Sequence, residues 1–105
     1  MTEVKFLADN GTLCGFIISG HSSVNCDDDD GKLVCSAVSS AAYMAANTIT
    51  EIIGDKADIE VDEALLFVKV KNPSSASTMV IEGLKLHLTQ LSYQYDDRIS
   101  ILSEV

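Results

Sequence analysis

Positive charge is scarce in this chain. Seven Lys plus Arg stand against sixteen Asp plus Glu, for a net charge of −9. A nucleic-acid binder needs a basic face, and seven scattered cations do not make one. No apolar run reaches the ~18 residues of a spanning helix, so no membrane partner is expected. Cysteine is limited to three unevenly spaced residues, too few for a disulfide framework. In a reducing cytosol they stay thiols, and each defaults to a small buried hydrophobe. Low-complexity tracts and linkers are absent, and the start, MTEVKFLADNG, is a charged, alternating segment rather than a signal peptide. The expectation is one cytoplasmic domain spanning residues 1–105.

What is present fits a folded core: 47% of the residues are hydrophobic. Residues 3–8 alternate in part, with Val4, Phe6 and Ala8 on one side. Asn10-Gly11 follows, a strong hairpin signal because both tolerate positive φ. The near-continuous apolarity of residues 13–19, LCGFIIS, predicts a strand in the middle of a sheet. From Leu33 the period becomes helical, through Val34, Ala37, Val38, Ala41, Ala45, Ile49 and Ile52. Gly54 is a natural stop. ADIEVDE and LLFVKVK read as a second hairpin turning near Asp62-Glu63, with Ile59, Val61, Leu66, Val68 and Val70 inward. Asn72-Pro73 breaks the strand, and Ser74 or Ser75 can cap a second helix. Val80, Leu84, Leu88, Leu91 and Tyr95 form its apolar stripe, with His87 at its boundary. RISIL closes the chain as a strand. The order ββαββαβ predicts an α+β layered fold, a mixed and mostly antiparallel sheet packed with two helices.

The stretch GHSSVNCDDDDGKLVCSAVSSAA concentrates the chemistry. His21 falls at a strand end and Cys35 in the first turn of a helix, joined by a polar loop over residues 21–32. A helix N-terminus favours thiolate, and a nearby histidine strengthens that and supplies a proton to a leaving group. Backbone N–H groups at the same helix end can face an oxyanion. Against this, Cys35 lies beside the inner face marked by Val34 and Val38, and could simply pack there. Cys14 sits in an apolar strand and packs by default, whereas Cys26 is in the loop. Cys14, His21, Cys26 and Cys35 lack CxxC or HxxH spacing, so a zinc site has little support. The aspartate run does not make a calcium loop, because Cys26 would be its first ligand and Ala37 its twelfth. No cofactor or metal is expected. Asp27 to Asp30 most simply solvate the loop, and Asp30 can cap the helix.

SGHS at a strand end, followed by LVCSAVSSAA opening a helix, resembles the ribosomal-processing cysteine proteases of the Prp family. That family has Gly-His-Ser/Ala, a short glycine-containing loop, then Asp-Ile-Val-Cys-Ala-Ala-Val-Ser, and the likeness of element order extends over the whole chain. The resemblance implies a homodimeric cytoplasmic endopeptidase. It would remove a short N-terminal extension from a basic large-subunit ribosomal protein, cutting after aromatic residues. His21 and Cys35 match its catalytic pair, and no third catalytic residue carries over. Gly20, Ser22, Asp30, Gly31 and Lys32 would belong to a substrate-binding or lid loop. Lys32 stands where the family usually has an acidic residue, and the loop is about two residues longer and aspartate-rich. Lys32 can itself favour thiolate at Cys35. Two further readings remain at this point: a non-catalytic acidic module binding a basic ribosomal partner, and a zinc-binding structural domain.

Overall fold

The computed structural model describes residues 1–20 and 29–103. The elements are β1 (Thr2–Asp9), β2 (Thr12–Ser19), α1 (Asp29–Asn47), β3 (Ala57–Asp62), β4 (Leu65–Val70), α2 (Ser75–Gln94) and β5 (Ile99–Ser103). A π-helical turn, Thr48–Ile53, prolongs α1. The five strands form one sheet in the order β3-β4-β2-β1-β5. β1 and β5 run parallel, and the other neighbours are antiparallel. The expected α+β layered order holds.

Strand registry decides which face is buried. Val4 lies opposite Ile18 and Phe6 opposite Phe16, while Phe16 and Ile18 face Val68 and Leu66 on the other side. These side chains share the face that α1 and α2 cover, and all are buried. Phe6 and Phe16 meet as a tilted aromatic pair, centroids 6.5 Å apart. Val34, Val38, Ala42, Ala45 and Ile49 come down from α1, and Ile81, Leu84 and Leu88 from α2. Cys14 packs in β2 as expected of a strand cysteine.

Local signals are used where they were read. Asn10 and Gly11 take φ of 54° and 80° in the β1–β2 turn. Ser74 caps α2, its side chain accepting from the Ser77 N–H. The Asp55 carboxylate accepts from the Ser74 N–H (2.9 Å), the Ser74 hydroxyl (2.7 Å) and the Ser77 hydroxyl (2.6 Å). These bonds tie the end of the first helical segment to the start of the second.

Three expectations need correcting. Helix α1 begins at Asp29, not Leu33, with Asp29 and Asp30 in its first turn, where carboxylates suit the dipole. Ile52 is exposed, because the π turn shifts the backbone register: the Gly54 N–H reaches back five residues to the Ile49 carbonyl. Ile59 and Val61 do share the helix-side face with Val68 and Leu66, but they are 44% and 60% exposed. β3 is one of the two edge strands, and the exposure of its apolar side chains shows that the helices do not cover it.

Candidate active site

The residues that matter meet at one end of the sheet. Helix α1 presents Cys35, Ser39 and Tyr43, spaced by four so that they stack along one face. With Thr2, Ile18, Gly20, Asp62, Ala64 and Leu65 they bound a cleft of about 280 Å³, whose apolar walls include Val38, Ala42 and Leu66. Cys35 is half-buried at its wall. Both Cys14 and Cys35 carry thiols rather than a disulfide.

Gly20 closes the sheet end of the cleft. Its N–H donates to the Ala64 carbonyl at 3.0 Å, extending the β2–β4 ladder by one bond. Its φ is +83°, and a Cβ there would stand 2.5 Å from the Met1 carbonyl oxygen. Only glycine meets both demands, so Gly20 fixes the direction in which the chain leaves β2. Beside it, Ala64 turns the β3–β4 hairpin with φ of 59°, and Asp62 accepts from the Glu63 N–H at 2.7 Å.

Cys35 is not in the first helical turn. It lies six residues after Asp29, or about 9 Å along the axis. In a regular helix the N–H of a second-turn residue points to the carbonyl four residues earlier, and the dipole effect fades beyond the first turn. Asp30, Gly31 and Lys32 are likewise helical rather than loop residues, with Gly31 buried and Lys32 exposed one turn before Cys35. His21, Ser22 and Cys26 lie outside the described residues.

The larger groove, about 730 Å³ between α1 and α2, holds the other histidine. His87 faces Ala37, Ala41 and Leu84 there, on a different side of α1 from Cys35. Among the described residues, no group of three or more His, Cys, Asp or Glu could hold a metal ion, and no helix is long and apolar enough to cross a membrane.

The model of the cysteine protease Prp family matches residues 1–100. The chain belongs to that family. No curated protein matches it. Among solved structures, the ribosomal processing protease Prp from S. aureus in complex with a substrate peptide superposes with a TM-score of 0.86 at 16% identity, covering 100% of both chains. The same protease with a covalently linked product peptide gives 0.83 at 17%, again over 100% of both. SMU.848 from Streptococcus mutans gives 0.86 at 16%, over 100% of this chain and 96% of that one. The family is one of cysteine proteases, and a helix-borne Cys35 on a cleft accords with it. Ser39, Tyr43 and Asp62 are cleft residues that reading the sequence missed. The i, i+4, i+8 spacing from Cys35 was a signal for the first two, but nothing local pointed to Asp62.

Proposed function

We propose that the protein is a cysteine endopeptidase that uses Cys35 as nucleophile and His21 as its proton-transfer partner. It removes a short N-terminal extension from a basic large-subunit ribosomal protein, cutting after an aromatic residue. One observation carries this reading: Gly20, the residue before His21, lines the same cleft as Cys35. The chain has two histidines, and His87 belongs to the other groove. The apolar walls at Ile18, Val38, Ala42 and Leu66 suit an aromatic side chain. A buried cavity of about 150 Å³ is enough for benzene, and this cleft is larger.

The chemistry runs in two halves. The Cys35 thiolate attacks the scissile carbonyl carbon, forming a C–S bond while the carbonyl pair moves to oxygen. Collapse breaks the C–N bond, and the His21 imidazolium gives its proton to the departing amine. Water then loses a proton to the neutral imidazole and attacks the thioester, and the C–S bond breaks to regenerate thiolate and imidazolium. The net charge of −9 favours encounter with a basic substrate. The proposed assembly is a homodimer, checked by light scattering.

The place of Cys35 in the second turn favours one competitor, a non-catalytic acidic module that holds a basic partner in the same cleft. A peptide spanning an extension–mature junction separates the two. Wild type should cut it after the aromatic residue, and Cys35→Ala should reduce cleavage to background while still binding. Binding by wild type without cleavage would select the module.

A further inference from the structure

β3 has a partner on one side only. Its six residues pair with β4 from Ala57↔Val70 to Asp62↔Leu65, and no described strand flanks its other edge. Every residue of β3 after Ala57 is exposed. The open edge ends at Asp62, which lines the Cys35 cleft. An extended chain lying on this edge would therefore lead into the cleft.

The two faces of β3 differ. Ile59 and Val61 point to the helix side, where they form an uncovered apolar ledge. Glu60 and Asp62 point to the other side, across from Phe67 and Leu65. Charge is also graded along the strand. At the far end, Lys71 pairs with Asp58 at 3.3 Å, and Lys69 is the cross-strand neighbour of Asp58. At the cleft end, Glu60, Asp62 and Glu63 form no ion pair among the described residues. A second copy of the chain is a poor occupant. Antiparallel pairing of two β3 edges keeps like faces together and sets carboxylate against carboxylate.

We infer that the open edge of β3 is a substrate-docking edge, which takes an extended polypeptide by strand addition and reads alternating apolar and basic residues next to the scissile bond. Backbone N–H and C=O groups of β3 hold the added strand. Ile59 and Val61 cover its apolar side chains, and Glu60 and Asp62 meet its cationic ones. The inference rests on the peptidase reading for what happens after docking, but docking itself does not need Cys35 to react.

The test uses binding and cleavage together. A fluorescent peptide with an aromatic residue followed by alternating basic and apolar residues is titrated against Cys35→Ala protein. The variants are Glu60→Gln with Asp62→Asn, which keep the side-chain acceptor that Glu63 uses. The control is Asp9→Asn with Glu82→Gln, two exposed carboxylates elsewhere with the same charge change. Loss of two exposed ion pairs should weaken binding by about three- to tenfold, with the control near wild type. Alternate N-methylation of the peptide backbone should weaken it further. In the Cys35-intact background, the edge variant should raise KM with kcat little changed. Equal effects of the edge and control variants would mean that net charge alone steers the peptide, and would overturn the inference. No binding by the Cys35→Ala protein, indifference to N-methylation, or self-association strengthened by the edge variant would also overturn it. Binding through the edge without any cleavage by wild type would sustain it while removing the peptidase reading.

Discussion

The two hairpins are close in length and opposite in use. β1–β2 sits inside the sheet, alternates buried and exposed residues along β1, and carries Phe6 and Phe16 at the centre of the core. β3–β4 sits at the margin, and only β4 is buried by the helices. The same alternation of apolar and polar residues gives a core strand in one place and an open edge in the other. Position in the sheet, not pattern, decides burial, and both hairpins reach the cleft, the inner one with Thr2 and Ile18 and the outer one with Asp62 and Leu65.

The largest break in this comparison is a core deletion in the inner hairpin. Phe16→Ala should cost about 3–5 kcal/mol, seen in denaturant unfolding, because Phe16 is fully buried among Phe6, Val68 and both helices. Next is the exit from that hairpin. Gly20→Ala should cost on the order of 1–3 kcal/mol, through its positive φ and the clash with the Met1 carbonyl. Peptide cleavage at a temperature where the variant is folded should fall further than stability alone explains, because the chain leaves β2 differently.

Asp55 offers a third break, away from the cleft. The Ser77 hydroxyl first, then the Ser74 N–H and hydroxyl, hold its carboxyl below the ordinary range. A depressed pKa means stability that is present above the unfolded carboxylate pKa and lost as pH falls through the folded one. Asp55→Asn should therefore lower Tm at neutral pH, with the gap to wild type closing once pH drops below the ordinary carboxylate range. The smallest stability effect belongs to the outer hairpin. Ile59→Thr should shift unfolding by no more than about 0.5 kcal/mol, since Ile59 is 44% exposed at the sheet edge. Its effect should appear in KM for an extended peptide.

Local chemistry made much of this legible from the sequence. Asn10-Gly11, the Ser74 cap and the Gly54 stop each act through a few neighbouring atoms, and the helical stripes act through their own period. What was hidden depends on atoms far along the chain. Ile52 faces water because a π turn intervenes, which no apolar spacing announces. Ile59 and Val61 are uncovered because two helices are too narrow for five strands. Cys35 was found by its flanks, but its turn was misplaced, because Asp29, Asp30 and Gly31 read as loop residues and are helical. Asp62 joined the cleft only when the sheet order brought the β3–β4 turn against α1.

Cys35 as nucleophile and His21 as its partner, as proposed, can be tested on the thiols themselves. The direct measurement is alkylation of wild type and His21→Ala at about pH 6.5, where an ordinary thiol is almost wholly protonated, read site by site by mass spectrometry. Cys35 should be modified first in wild type and should lose that lead in His21→Ala, with buried Cys14 slowest in both. A Cys26 that reacts faster than Cys35, or a Cys35 rate indifferent to His21, would contradict the account.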